Sequence, residues 1–255
     1  PFNNDTGTFW HGTHVAGIVA AIDNNIGVVG IAPAATLVGV KALHNGSGAF
    51  SWIISAILYA ATPLSAGGGG ADIINMSLGA EFERGGGNTG AGPLVAAMNK
   101  AVNYADRNGV LVVSAAGNSA LDLDHTGSVI AVPAQSGSGI AVSATGPEGF
   151  GLGATNFRRI SSYTNYGTSA ITVAGPGGDA TLPGEDPCTK LTATGAPLTR
   201  PCWVFDLVLS TSRAGYTWAA GTSMAAPAVS AVAALIRQAN PGISLGALKN
   251  RLAQS

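Results

Sequence analysis

The chain has 255 residues, of which 12 are Lys or Arg and 13 are Asp or Glu, giving a formal net charge of −1. Charged residues make up 10% of the chain and hydrophobic residues 46%, whereas disordered proteins are rich in charge and poor in apolar residues. The basic excess of most nucleic-acid-binding proteins is absent. The composition therefore predicts a folded domain with a buried core and no nucleic-acid partner.

The pattern of apolar residues predicts no membrane-spanning segment, because no run reaches 18 residues. The longest run, 225–236, contains Pro227 and Ser230 and is typical of a buried helix. Neither an initiator Met nor a charged-then-apolar signal segment is present at the start. We therefore expect a processed form or a fragment.

Short apolar runs alternate with longer amphipathic segments along the chain. Predicted helices cover residues 11–22, 50–61, 92–108, 222–239 and 244–253. Predicted strands cover residues 36–41, 72–77, 110–115, 140–144, 170–174 and 206–210. Gly- or Pro-rich stretches at 67–70, 85–87 and 177–201 predict surface loops. This alternation predicts βαβ units around a parallel sheet.

Two cysteines, Cys188 and Cys202, lie 14 residues apart in a stretch without clear periodicity. A disulfide between them would close a loop worth about 3 kcal/mol and would indicate an oxidising compartment. The alternative is two unpaired buried thiols. A metal site is disfavoured because no neighbouring Cys or His completes one.

Two histidines, His11 and His14, stand at the start of the first predicted helix, on neighbouring turns. The zinc-protease pattern spaces its two histidines four apart with a Glu between them, and that Glu is missing here. A general base fits better, because imidazole titrates near neutral pH. The alternative is a purely structural pair.

Two further segments carry residues suited to acyl transfer. Ser223 enters a helix just after Gly221, where the helix N-terminus favours an oxyanion; the alternative is an ordinary helix cap. Asn118 follows a buried strand, and its amide could donate to that oxyanion; the alternative is a turn-forming Asn.

The three segments together resemble the subtilisin-like serine proteases, the subtilases of peptidase family S8. The sequences HGTHVAG (11–17), AAGN (115–118) and GTSMAAP (221–227) match the His, Asn and Ser boxes of that family, in family order. Segments 23–33, 45–53 and 71–79 also look like subtilase segments. The resemblance implies one α/β catalytic domain over residues 1–255. Its three-layer fold has a mostly parallel central sheet covered by helices on both faces, with an insertion around 177–204.

The resemblance also implies roles for individual residues. His11 corresponds to the general base, Ser223 to the nucleophile and Asn118 to the oxyanion donor of a serine endopeptidase, whereas His14 corresponds to a structural neighbour. The residues expected to bind substrate are Gly46, Ser47, Gly48, Ser77, Leu78, Gly79, Ala115 and Gly117. A protein or peptide substrate would lie as an extended strand between the first three and the next three. Ala115 and Gly117 would flank the pocket for the residue before the cleaved bond.

The third member of the family's triad, an Asp at the end of an early strand, lacks a clear counterpart. Asp5 begins an Asp-Thr-Gly triplet, but it lies only six residues before His11 and no apolar strand precedes it. We interpret Asp5 as a loop residue and expect a chain truncated before its first strand and at its C-terminus. The alternative function is a non-catalytic or weakly active peptide-binding domain.

A calcium site is implied at Ile22, Asn24, Ile26 and Val28, where backbone carbonyls and an Asn amide suit a hard cation. The alternative is a simple Asn-Asn turn. We expect no organic cofactor. We also expect a secreted monomer.

Overall fold

The structure is a computed structural model that describes residues 10–83 and 91–255. The predicted loop at 85–87 and Asp5 lie outside those residues. The helices of the described part are α1 (His11–Ala20), α2 (Phe50–Ala61), α3 (Gly92–Arg107), α4 (Thr222–Ala239) and α5 (Leu245–Ala253). The strands are β1 (Ile73–Met76), β2 (Ala80–Glu83), β3 (Leu111–Ala115), β4 (Val129–Val132), β5 (Ile140–Thr145), β6 (Val173–Pro176), β7 (Pro187–Leu191), β8 (Pro197–Pro201), β9 (Val208–Ser212) and β10 (Gly215–Ala219).

In the described part of the chain, the central sheet has four parallel strands in the order β1-β3-β5-β6. Val113 of β3 lies opposite Asn75 of β1 on one side and Ile140 of β5 on the other. All five residues of β3 are buried, as expected for a strand covered on both faces. The predicted parallel sheet is therefore confirmed.

Helices cover both faces of this sheet, because successive side chains of a strand point to opposite sides. Val112 of β3 packs in a core cluster with Ile57 of α2 and Met98 of α3. Its neighbour Val113 packs in a second cluster that includes Leu248 of α5 and residues of α4. The three-layer architecture is confirmed.

The described residues also form three antiparallel strand pairs: β2 with β4, β7 with β8, and β9 with β10. The prediction of a surface loop over 177–201 is wrong in part, since β7 and β8 form a hairpin there. The Cys188–Cys202 disulfide is confirmed, with a Cα–Cα distance of 4.8 Å, and it packs against buried Phe205. The sequence does not predict these two strands, because they contain Pro187, Pro197 and Pro201, and proline disfavours strands.

Two other strand predictions need correction. Residues 36–41 form no strand, and Leu37 and Val38 are 50% and 49% exposed. Within the described ranges no strand pairs with this segment. An apolar segment without a neighbouring strand cannot form the backbone hydrogen bonds of a sheet. The strand predicted at 206–210 forms as β9, but it pairs with β10 outside the parallel sheet.

None of the helices in the described part is both long and apolar enough to cross a membrane.

Candidate active site

His11 is the first residue of α1, a helix that packs against the start of α4. Val15 and Ile18 of α1 share a core cluster with Met224 and Ala228 of α4. The beginning of α1, which carries His11, is therefore fixed against the helix that carries Ser223. Burial lowers the pKa of His11 from its ordinary value of 6.5, and the nearby His14 lowers it further.

His14 is fully buried and holds α1 to the β9–β10 hairpin. Its Nε2 lies 3.2 Å from the carbonyl oxygen of Val208 and 3.1 Å from that of Thr217. Because carbonyl oxygens only accept, Nε2 carries the proton and donates. Burial lowers the pKa of His14, and the two carbonyl contacts partly oppose this shift.

The same hairpin also binds the backbone of α1. Ser210 Oγ donates to the carbonyl of His14 at 2.7 Å, and Thr211 Oγ1 donates to the carbonyl of Thr13 at 2.8 Å. A Cβ on Gly17 would overlap with both hydroxyls, so this close approach requires glycine. The helix that positions His11 is thus anchored at several points.

Ser223 is the second residue of α4 and is half-buried. Ser77, just after β1, ties this helix start to the sheet, because its Oγ donates to the carbonyl of Ser223 at 2.7 Å. Ser77 Oγ in turn accepts from Asn75 Nδ2 at 3.0 Å. Among the described residues, Ser223 Oγ makes only a long contact of 3.4 Å, with the carbonyl of Ser77. The nucleophile candidate therefore has a firmly held backbone and a weakly held hydroxyl.

Asn118 lies just after β3, next to the start of α4. Its Oδ1 accepts from the backbone N–H and from Oγ1 of Thr222, both at 2.9 Å. Because a backbone N–H can only donate, the atom facing it must be Oδ1, and Nδ2 is the donor on the other side. The N–H of Gly117 donates to Thr222 Oγ1 at 3.2 Å and closes the network. The side chain of Asn118 is thus oriented by Thr222, the residue directly before Ser223.

A cavity of about 370 Å³ opens beside Ser223 and Asn118. Its walls come from the segment around β2, the end of β3, the end of β4 and the start of α4. Of the predicted substrate-binding residues, those in its lining are Leu78, Gly79, Ala115 and Gly117. The volume is within the range of pockets that bind small ligands.

The other predicted substrate edge, Gly46 to Gly48, lies outside this cavity lining. Asn45 and Gly46 both have positive φ, 48° and 82°, and form a tight turn closed by hydrogen bonds between His44 and Ser47. The turn is followed directly by α2, whose Phe50 packs in the same core cluster as Leu78. Both predicted edges therefore adjoin one core.

The proposed calcium segment forms an exposed turn, in which Ile22 and Ile26 are each 69% exposed. Asn24 Oδ1 accepts from the N–H of Ile26 at 3.2 Å. Over residues 10–83 and 91–255, no group of three or more His, Cys, Asp or Glu is placed to hold a metal ion. Calcium at Ile22, Asn24, Ile26 and Val28 stays a prediction from the resemblance.

Two residues of the site were not found from the sequence. Glu81 of β2 lines the cavity, and the fully buried Asn165 supports it. A signal for Glu81 exists in the alternation of Glu81, Phe82 and Glu83 after Gly79, which is typical of a strand with one polar face. Asn165 carries no comparable signal, because its partners are distant in sequence.

The sequence profile of the subtilase family (Peptidase_S8) matches residues 1–255. Alkaline elastase YaB from Bacillus sp. (strain YaB) is 36% identical over 244 residues, and subtilisin E from Bacillus subtilis (strain 168) is 35% identical over 245 residues. Each match covers 95% of this chain but 48% and 49% of the relative, so the chain spans about half the length of these curated proteins.

Solved structures agree with this assignment. A protease of Pseudoalteromonas arctica PAMC 21717 is 31% identical, with a TM-score of 0.68 over 96% of this chain and 63% of its own. Sphericase is 30% identical, with a TM-score of 0.69 over 98% of this chain and 69% of its own. With the His, Asn and Ser boxes placed on one described fold, this chain belongs to the subtilase family.

Proposed function

We propose that this domain is a serine endopeptidase that hydrolyses peptide bonds in proteins, with Ser223 as nucleophile, His11 as general base and Asn118 as oxyanion donor. The observation that carries the proposal is the shared cavity: Ser223 and Asn118 line it together, and Asn118 is oriented by Thr222. Family membership supports the reaction class.

The chemistry follows the acyl-transfer scheme. His11 takes the proton of Ser223 Oγ as this oxygen attacks the substrate carbonyl carbon. The oxyanion of the tetrahedral intermediate accepts from Asn118 Nδ2 and from the N–H of Ser223. His11 then protonates the leaving amine, and water repeats the cycle on the acyl-enzyme. The lowered pKa of His11 keeps the imidazole in its basic form at neutral pH.

The proposed substrate is an extended peptide lying as a strand between the Gly46–Ser47–Gly48 turn and Ser77–Leu78–Gly79. Main-chain hydrogen bonds would supply affinity that depends little on sequence. The side chain before the cleaved bond would enter the cavity between Ala115 and Gly117. We further propose a monomer that is secreted, in keeping with the Cys188–Cys202 disulfide, since such bonds persist in oxidising compartments.

Hydrolysis by purified protein tests the reaction class. We expect cleavage of casein and of fluorogenic peptides, abolished in Ser223→Ala and strongly reduced in His11→Ala. Ser51→Ala, an exposed position on α2, is the matched serine control and should retain activity. A folded protein that binds peptides without cutting them would overturn the proposal in favour of a peptide-binding domain.

Calcium binding is proposed separately for the turn at Ile22, Asn24, Ile26 and Val28. Neutral oxygen donors suit Ca²⁺, and a ligand that binds only the folded state raises the melting temperature. We expect calcium to raise the melting temperature of the parent protein and to raise it less in Asn24→Ala. Equal melting curves in calcium and in chelator would refute this site.

A further inference from the structure

One charged side chain, Glu81, lines the cavity beside Ser223; the rest of its described lining is apolar or neutral and polar. Register on β2 explains where Glu81 points. Phe82 faces the core and meets Phe50 edge-on, with ring centroids 5.2 Å apart. Because side chains alternate along a strand, Glu81 faces the opposite side. There its Oε1 lies 3.1 Å from the point that a Cβ on Gly117 would occupy.

The Glu81 carboxylate is held by a rigid support. Asn165 Nδ2 donates to Glu81 Oε1 at 2.9 Å and to the carbonyl of Ala116 at 3.0 Å. Asn165 Oδ1 accepts from the N–H groups of Ser119 and Leu121, at 3.1 and 3.0 Å. Those two N–H donors fix which end of the amide is oxygen, so Nδ2 must be the atom that faces Glu81.

No Lys or Arg in the described part of the chain forms an ion pair with Glu81. The carboxylate is therefore not neutralised by a partner among these residues. The cavity walls near it are small, since Gly79, Ala115 and Gly117 contribute little side-chain volume. A long side chain can enter such a space and bring a terminal charge to the wall.

We propose that Glu81 makes this protein selective for Lys or Arg as the residue immediately before the cleaved bond. The inference rests on the proposed function and names its substrate class. A guanidinium or ammonium group would form a charge-assisted hydrogen bond with the carboxylate held by Asn165. An acidic side chain at the same position would meet a like charge, and a neutral side chain of equal length would lose the charge attraction.

Fluorogenic peptides that differ only in this residue test the proposal, with Arg compared against citrulline, its uncharged isostere. We expect kcat/KM for Arg to exceed that for citrulline by about tenfold, the effect of one hydrogen bond between charged groups. The ratio should fall with added salt, because the carboxylate is solvent-exposed. In Glu81→Gln the ratio should fall close to one.

Glu83→Gln is the matched control, because Glu83 lies on the same strand and the same face but outside the cavity lining. It should keep the parent's ratio. Equal cleavage of Arg and citrulline peptides by the parent, or an unchanged ratio in Glu81→Gln, would overturn the inference while leaving the protease proposal intact.

Absence of any hydrolysis would instead refute the proposed function. The selectivity is then decided by equilibrium binding of the product peptides that end in Arg or citrulline. Tighter binding of the Arg peptide, lost in Glu81→Gln, supports the inference. Equal binding of the two peptides overturns it.

Discussion

Gly117 lies in the cavity wall, and substituting it with Ala gives a defined expectation. Its φ is +107°, a conformation that costs an L-residue about 1–3 kcal/mol. A Cβ there would overlap with Asn165 Nδ2 and lie 3.2 Å from Asn165 Cγ. Asn165 cannot move away without losing contacts, because it is fully buried and hydrogen-bonded at both ends of its amide.

The size of the loss follows from these terms. Overpacking against Asn165 destabilises the fold by a further ~1–3 kcal/mol. The lower conformational entropy of the unfolded chain with Ala offsets about 0.4–1 kcal/mol of this loss. We expect Gly117→Ala to lower the free energy of unfolding by about 3 kcal/mol. Urea denaturation followed by circular dichroism measures this change, provided that the slope with denaturant stays constant.

Gly153→Ala separates the cost of backbone strain from the cost of steric overlap. Gly153 has nearly the same φ, +102°, but an added Cβ there meets nothing within 4 Å. It carries the backbone strain without the overlap, so its loss should be about 1 kcal/mol. If both variants lose the same free energy of unfolding, the reasoning that Asn165 is a rigid support is refuted.

Three further predictions concern the site and its surroundings. Asn118→Ala should lower kcat about 10- to 100-fold with a smaller effect on KM, the loss of one hydrogen bond to a developing charge; steady-state kinetics showing an unchanged kcat would contradict this. The double variant Cys188→Ser/Cys202→Ser should lose about 3 kcal/mol of unfolding free energy in urea; equal stability of parent and double variant would remove the disulfide from the account. The folded-state pKa of His14 lies below its ordinary value of 6.5, so the unfolded chain binds the proton more readily. The unfolding free energy should therefore be highest above pH 6.5 and should decrease as the pH is lowered below that value. The decrease should be less steep in His14→Gln. If the unfolding free energy, measured in urea at each pH, falls equally steeply with pH in parent and variant, His14 is not the source of this pH dependence.

The helices could be predicted closely because their signals are local. The bounds expected for α2 and α4 are those observed, and Ser244 caps α5 by accepting from the N–H of Ala247. Buried strands such as β3 were also predicted, since a short run of Val and Leu between turns has few other solutions.

The antiparallel strands β2 and β4 could not be predicted in the same way. Strand β4 is short, and its partner β2 lies far away in sequence, so only tertiary pairing defines them. The opposite error occurred at 36–41, where apolar residues predicted a strand that has no partner in the described ranges. Strand formation depends on a neighbour that local sequence does not report.

The residues of the candidate site show the same difference between local signals and tertiary contacts. His11, Asn118 and Ser223, the proposed reacting residues, can be singled out from the sequence because each stands in a short motif of fixed spacing. Glu81 and Asn165 were missed because their significance arises from one contact between residues 84 positions apart. Sequence patterns predict the proposed reacting groups, and the structure is needed to identify what surrounds them.

Labelling by a serine-directed phosphonate, mapped by mass spectrometry, tests most directly whether Ser223 is the nucleophile. We expect one modified residue, Ser223, with labelling lost in Ser223→Ala and slowed in His11→Ala, because the unassisted hydroxyl is a poor nucleophile. Far-ultraviolet circular dichroism of the same samples confirms that each is folded. A folded protein whose Ser223 stays unmodified, or that is labelled equally well without His11, would contradict the proposed roles of Ser223 as nucleophile and His11 as its base.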